Sequence, residues 1–578
     1  MAVVGIDLGT TNSLVTAFVN GESKIIPNPH NQLLTPSVVS LSDDGNIIVG
    51  SAAKDRLISS PKLATSLFKR QMGTEKQIKL GNKTFLPEEL SSFILRQLIK
   101  DAENYLNEPV TEAVISVPAY FNANQRAATK VAGSLSGVKV ERLINEPSAA
   151  ALACRNWDKD ETFIVIDFGG GTLDVSIVET FDNIVNICAI AGNNNLGGID
   201  FDIAIAADVC SVNGLDMEQL PDSEYQALLK ASETAKIQLQ DDNEAHISVT
   251  LSGTRYEYVL TGNRLFQLSQ RIIESLKKPI QRAAKDSGLG LADIDKCILV
   301  GGSCNMNLVR DYLSSLLRVD VTYSQDTDKI VALGLGTYVG IKQRISDVKD
   351  LVLTDICPFS LNVGIHNYSD PSRSITSTLI PRNTALPASR TSQFWTVELG
   401  QQQIRLQINQ GEEYYAADNT QLGELNITVP LNKTANEVID VTFTYDINAM
   451  LLVQAKVVST GKEYSLTIAG KGAMEGRQLE RYAKTIQSLK LAHYERMDLL
   501  LERAKRMYTE VDETSKPHMQ SILNALTQIN KDGSIRKVSA RLDEIEAVVD
   551  EIEEGLKDSD IFHKTPVFLR VIKGGADE

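Results

Sequence analysis

The sequence predicts a multidomain fold in which an α/β domain of two similar lobes is followed by an antiparallel β domain and then a helical segment. Three observations predict it. Over residues 1–345, apolar strand-like runs alternate with helix-like runs, the pattern of an α/β domain. From about Ile356 to Ala469 the hydrophobic period becomes 2, as in an antiparallel sheet with one buried face. From Met474 to about Leu556 the period is helical, and Pro and Gly are scarce.

In the first part, Val3–Asp7, Ala113–Val117, Phe163–Asp167 and Lys296–Val300 read as strands, and Phe93–Leu106 and Gln125–Leu135 as helices. Val4–Thr11 and Val165–Thr172 both run apolar strand, Asp, then a Gly/Thr turn, and both continue into a second apolar strand. A motif recurring about 160 residues apart points to a duplicated lobe. Residues 346–355 form a charged-apolar-charged stretch that reads as an interdomain linker. Linkers are usually polar, so one carrying Leu351, Val352 and Leu353 is expected to dock. The β region covers 356–472. A helical segment covers 473–560, with Leu489, Tyr494, Met497, Leu501, Ala504 and Tyr508 as one apolar stripe, and a loose tail covers 561–578.

The 578 residues carry 58 Lys plus Arg against 74 Asp plus Glu, a net charge of −16. That balance excludes a general nucleic-acid or anionic-membrane binder but not a local cradle for one nucleotide. Six cysteines, without C-x-x-C pairs or neighbouring His at zinc spacing, read as reduced thiols. The N-terminus lacks a signal-peptide pattern and no stretch reads as a membrane span, so a cytoplasmic location is expected.

Asp7-Leu-Gly-Thr-Thr11 is a strand-end turn of small residues. Its backbone N–H groups and hydroxyls can reach phosphate, and Asp7 can hold Mg²⁺ through water. Asp167-Phe-Gly-Gly-Gly-Thr172, followed by Asp174, repeats the idea, and Gly301-Gly302-Ser303 is a third turn at a strand end. Each alone is also compatible with a structural tight turn; two matching copies favour a ligand.

Further segments carry a resemblance. Ile6–Ser13, Val117–Asn122, Ile144–Ala151, Asp167–Thr172, Leu196–Asp202, Val348–Asp355, Asn409–Glu412 and Ala416–Asn419, in this order, resemble the DnaK-type chaperones, the heat shock protein 70 family. The short lid and tail are similar to the small bacterial HscC-type branch. The resemblance implies an actin/sugar-kinase-like ATPase domain with ATP or ADP and Mg²⁺ between two lobes, K⁺ as a further candidate ion, a β-sandwich that binds extended apolar peptide, and a helical lid over that groove. It implies a J-domain co-chaperone as partner, while dependence on a nucleotide exchange factor is doubtful because residues 233–291 look compact.

Carried over by position, the resemblance implies phosphate contacts from Thr10, Thr11, Gly169, Gly170, Gly171 and Thr172, and metal-bound waters at Asp7 and Asp174. Asp167 and Glu146 orient water, and Lys69 stabilises the transferring phosphoryl group. Glu233, Lys236, Gly301, Gly302, Ser303 and Asp328 surround the adenosine. Leu361, Val363, Ile404, Leu406 and Ile408 are peptide-pocket or core residues. Pro118, Arg126, Leu351, Val352, Leu353 and Asp355 couple nucleotide to linker, and Arg142 and Asn145 match a J-domain surface. Without the resemblance, Lys69 reads as a surface lysine, Arg126 as a helix surface charge, and Glu233 with Lys236 as a surface helical pair.

Two departures remove adenine contacts. Cys304-Asn305-Met306-Asn307 stands where the family has Thr-Arg-(apolar)-Pro, and Gln240 replaces a small hydroxyl residue. Weaker nucleotide binding and faster exchange are expected. Thr354 replaces a fourth apolar linker residue, which weakens docking by ~1–3 kcal/mol. A sugar or acetate kinase, an actin-like filament protein and a nucleotide-binding exchange factor stay open as alternatives; the kinase reading accounts for the turns but not the linker, β region and helices.

Overall fold

The computed structural model describes residues 1–155, 159–317, 319–323, 327–344, 351–468, 477–511, 515–529 and 535–555. Linker residues 346–350, Met474 and the expected tail lie outside them.

Two sheets repeat one topology. The first runs Lys139–Asn145, Val110–Val117, Ala2–Asp7, Asn12–Val19, Glu22–Ile25; the second runs Asp320–Tyr323, Lys296–Val300, Glu161–Phe168, Leu173–Phe181, Ile184–Asn193. In each, the first three strands are mutually parallel and the last two return antiparallel. Ala2–Asp7 and Glu161–Phe168 are central and mostly buried, which is why both read as near-continuous apolar runs.

Each sheet sends a helix to the other. Glu146–Cys154 and Ile330–Lys342 cross so closely that a Cβ on Gly334 would stand 1.7 Å from the Ala149 carbonyl oxygen. Ala149, Ala150, Leu335 and Val339 share a core with Phe163 and Val165 of the second sheet. Local signals set other helices: Asn122 caps Ala123–Ser136 by accepting from Gln125 N at 3.0 Å, and Gly137 closes it at φ 98°.

The strand Val352–Thr354 joins the second sheet, parallel to Ile184–Asn193, with Leu353 opposite Val185. Leu351 and Leu353 face inward and Ile356 is buried, while Val352 is exposed. Two four-stranded antiparallel sheets follow, ordered Ile375–Ile380, Leu361–Ile365, Gln403–Gln410, Thr420–Thr428 and Ala388–Trp395, Val438–Tyr445, Leu451–Val457, Glu463–Ile468. Their inner faces share one core that includes Leu361, Ile408, Val441 and Phe443. This unit is hydrogen-bonded to the α/β part: Ala123 N donates to Gln410 Oε1 at 3.0 Å and Leu143 N to Asn448 Oδ1 at 3.0 Å.

The helical segment differs from expectation twice. The stripe from Leu489 to Tyr508 is not one helix: Arg477–Ser488 and Arg496–Glu510 are separated by an extended stretch. Neither Pro nor Gly breaks it. Instead Ile47 N donates to Lys490 O at 2.8 Å and Ala492 N to Ile47 O at 2.7 Å, so strand pairing with the α/β part wins over local helix propensity. Among the described residues, the helices pack on the α/β part rather than over the β groove. Tyr482, Ala483 and Ile486 pack into the core beneath the first sheet, and Arg496–Glu510 lies along the helix Ser51–Ser59.

Candidate functional site

Ala2–Asp7 and Glu161–Phe168 both end at one cavity of about 500 Å³, where ligands of open α/β sheets bind. The two Gly/Thr turns meet across it. A Cβ on Gly170 would lie 1.9 Å from Thr11 Oγ1, and one on Gly171 2.6 Å from Thr10 Cγ2. Glycine is the one residue that permits this approach. The third turn closes the floor: Ser303 Oγ donates to Gly169 O at 2.8 Å, and Gly301 sits at φ 85° against Phe168 O.

Of the expected phosphate and metal residues, Asp7, Thr10, Thr11, Lys69, Glu146, Asp167, Gly169, Gly170 and Thr172 line the cavity. Gly171 stands behind it, its carbonyl accepting from Arg70 Nε at 2.9 Å. Asp174 is fully buried behind the turn, accepting from Tyr120 N at 2.9 Å, with Oδ2 unpartnered. Lys69 is not a surface lysine: it is 5% exposed and donates to Glu146 Oε1 at 2.8 Å. The preceding Leu67 holds φ 59°, a strained value for a branched residue that turns the chain toward the cavity.

Four carboxylates, Asp7, Glu146, Asp167 and Asp174, face one lysine. Burial first, then Glu146, pushes Asp7 and Asp174 each up to about 7, and burial with the same repulsion holds Asp167 well above the usual range. A divalent cation offsets that repulsion. Among the described residues no group of three or more His, Cys, Asp or Glu could cage a metal directly. The carboxylates beside the two turns fit Mg²⁺ held through water and phosphate, the mode it prefers.

At the far end, Glu233, Lys236, Gly301, Gly302, Ser303 and Asp328 line the same cavity, with Gln240, Asn305 and Met306. Glu233 and Lys236 do not pair with each other. Glu233 accepts from Lys54 at 3.2 Å, and Lys236 contacts Asp202 at 2.7 Å and the Gly198 carbonyl at 3.1 Å. Lys54, Arg70, Asp202 and Ser116, which donates to Asp7 Oδ1 at 2.7 Å, are site residues without roles in the sequence reading. Asp202 lies in the segment Leu196–Asp202 and Arg70 directly follows Lys69, whereas Lys54 and Ser116 carry no local signal.

Arg126 is buried, not a helix surface charge, and donates to Ala119 O at 3.0 Å and Asn145 Oδ1 at 2.6 Å. Pro118 ends the strand Val110–Val117 beside it. Asn145 donates to Asp355 of the linker and is 2% exposed, so it offers no free surface to a partner; Arg142 is half-buried, donating to Tyr338 Oη at 2.6 Å. Leu361, Val363, Leu406 and Ile408 are buried in the β core and Ile404 packs at its edge, which makes them core residues in this structure.

A family model described as Hsp70 protein matches the chain over residues 3–80 and 74–565.

Proposed function

The chain belongs to the Hsp70 family, and on that premise we propose that it hydrolyses ATP in the cavity between the two turns and uses the cycle to bind and release extended apolar segments of unfolded polypeptide. Members of the family are ATP-dependent chaperones. The assignment of each residue is our reading, and one observation carries it: Thr10–Thr11 and Gly169–Thr172 face each other across one cavity with the buried Lys69–Glu146 pair beside them.

Thr10, Thr11, Thr172 and the Gly169–Gly171 backbone hold phosphate oxygens by hydrogen bonds. Mg²⁺, when bound, supplies charge neutralisation at those oxygens. Asp7, and Asp174 from behind the turn, would hold water of its shell, and Glu146 and Asp167 would orient the attacking water. Lys69 stabilises the negative charge of the transferring phosphoryl group. Phosphoryl transfer needs positioning and charge compensation more than covalent chemistry, and this set supplies both. Glu233, Lys236, Gly301–Ser303 and Asp328 hold the adenosine, with fewer base contacts than a family member carrying the arginine.

Peptide recognition belongs to the β unit, by backbone hydrogen bonds at a sheet edge. Because Leu361, Val363, Leu406 and Ile408 are core, the side-chain contacts fall to exposed aromatics such as Tyr368 (82% exposed) and Tyr414 (62%). Coupling runs through Asp355 and the strand Val352–Thr354. A J-domain co-chaperone fits this cycle, with Arg142 as the contact left at its proposed surface; the short helical segment agrees with an HscC-type member.

Steady-state ATP turnover with and without an unfolded apolar peptide tests the reading. Turnover that rises with peptide is expected; Mg²⁺-independent or peptide-insensitive turnover overturns it.

A further inference from the structure

The glycine turn Gly169–Gly171 is shaped by its own half of the α/β part. Gly169 O accepts from Gly198 N at 3.0 Å and from Ser303 Oγ at 2.8 Å, Gly170 O accepts from Ile199 N at 3.0 Å, and Gly169 N donates to Thr172 O at 3.1 Å. The third carbonyl of the turn is held from the other half. Gly171 O accepts from Arg70 Nε at 2.9 Å, and Arg70 sits on the short 3₁₀ turn Phe68–Gln71, whose Phe68 packs in the core of the first sheet. The same guanidinium donates from Nη2 to Asp200 Oδ2 at 2.9 Å, and that oxygen also accepts from Gly197 N at 2.7 Å, at the start of the helix Gly198–Val212. The approach is tight: a Cβ on Gly171 would lie 2.9 Å from Arg70 Nε.

We propose that Arg70 is a positioning residue for hydrolysis: its guanidinium fork registers Lys69, its neighbour in the chain, against the glycine turn across the cavity. The proposal rests on the cavity being an ATP site. Arg70 is not among the residues that line the cavity, whereas Lys69 is, so Arg70 acts through Lys69. Lys69 and Arg70 are consecutive in one helical turn, and a guanidinium fixed to the glycine turn fixes the backbone from which the Lys69 ammonium reaches inward. Lys69 also donates to Glu146 at 2.8 Å, and Glu146 follows directly on the strand Lys139–Asn145 of the first sheet. That pair sets where the ammonium stands on its own side. It does not set its distance to the glycine turn; Arg70 does.

Three observations separate this residue from a surface ion pair. Arg70 binds two acceptors of different kinds, a backbone carbonyl and a carboxylate, which takes a planar fork; the single point charge of a lysine does not match both. Its side chain is 17% exposed, so water competes little for these bonds. And Leu67 opens the turn at φ 59°, so the backbone that carries Lys69 is held in a costly conformation that its surroundings must secure. A displacement of about 1 Å at a reacting centre costs on the order of 10²-fold in rate, so the tie weighs on hydrolysis far more than on binding.

The test uses the full chain with Arg70→Ala, Arg70→Lys, Lys69→Ala and the double variant Lys69→Ala/Arg70→Ala. Isothermal titration with Mg·ADP reads binding, and single-turnover hydrolysis of Mg·ATP reads the chemical step. Arg70→Ala is expected to bind Mg·ADP within about threefold of wild type, which also shows that the site is folded, and to hydrolyse ATP about 10–100-fold more slowly. Arg70→Lys is expected to stay within about threefold of the Arg70→Ala rate. In the Lys69→Ala background, adding Arg70→Ala is expected to cost less than about threefold, because the group it positions has gone. An equal fold loss in both backgrounds overturns the proposal, since Arg70 then acts independently of Lys69. So does a loss that falls on Mg·ADP affinity rather than on hydrolysis, which makes Arg70 a support of the glycine turn alone, and so does a wild-type rate in Arg70→Ala or Arg70→Lys. A wild-type chain that binds no Mg·ADP and splits no ATP overturns the nucleotide reading instead.

Discussion

Asp355 and Asn145 are joined by a 3.1 Å hydrogen bond, Asn145 Nδ2 donating to Asp355 Oδ1, which also accepts from Ser148 Oγ at 2.5 Å. Asp355 ends the linker strand and is 4% exposed. Asn145 directly precedes Glu146, the partner of Lys69, and its own side-chain oxygen accepts from Arg126. One residue of chain therefore separates the linker's anchor from the candidate catalytic pair.

Replacing Asp355 with Ala removes the acceptor and leaves Asn145 and Ser148 with unpaired buried donors, a cost of about 1–3 kcal/mol to the docked linker. Peptide off-rates with and without ATP check this. ATP should accelerate release in the wild type and have several-fold less effect in Asp355→Ala, with basal peptide affinity kept. An unaltered response to ATP removes Asp355 from the coupling.

Lys69→Ala should bind Mg·ATP and split it about 10²–10³-fold more slowly, the usual loss when one preorganised charge at a transferring group is deleted. Isothermal titration for binding and single-turnover hydrolysis separate the two effects. Turnover near wild type takes Lys69 out of the chemistry and leaves its pairing with Glu146 as its whole role.

The parts of this fold legible in sequence are those governed by local rules. The repeated strand-Asp-Gly/Thr pattern pointed to both central strands and both turns, because buried strands and close backbone approach restrict residue choice at consecutive positions. Lys69 and Asp355 were legible through family resemblance alone, since neither has a neighbour in sequence that betrays its partner. What escaped was decided between distant segments. The break at 489–495 exists because Ile47 offers a strand to pair with, and Arg506 reads as one more charge on a polar helix until Asp55 and Glu553 close around it. The alternation that placed Leu361 and Ile408 in strands could not say what their face meets; here it packs against Phe443 and Val441 of the other sheet.

Gly170 and Gly302 make a contrasting pair. A Cβ on Gly170 collides with Thr11 Oγ1, whereas one on Gly302 meets nothing within 4 Å. Gly170→Ala should keep the two turns from closing and weaken nucleotide binding at least tenfold, about 1.4 kcal/mol or more, with a lower first thermal transition. Gly302→Ala should leave the thermal transition of the nucleotide-free protein within about 0.5 kcal/mol of wild type. Equal thermal effects in the two variants contradict the face-to-face packing of the turns.

Asp101 supplies a pH signature away from the site. It is 3% exposed on the helix Pro87–Leu106, and burial pushes its carboxyl up to about 6 despite a 2.9 Å hydrogen bond from Gln97. Its value in the unfolded chain is near the ordinary 3.8. Between about pH 4 and 6 the folded state therefore holds the proton more tightly than the unfolded state, and stability from this group falls as pH rises through that window and is gone above it. Asp101→Asn keeps the shape and removes the charge. The variant should match wild type near pH 4, gain on it up to pH 6, and stay more stable by about 1–2 kcal/mol at pH 8. Thermal unfolding at pH 4.5, 6 and 8 checks the trend; a variant less stable than wild type at pH 8 would mean the ionised carboxylate is held by partners that outweigh its burial.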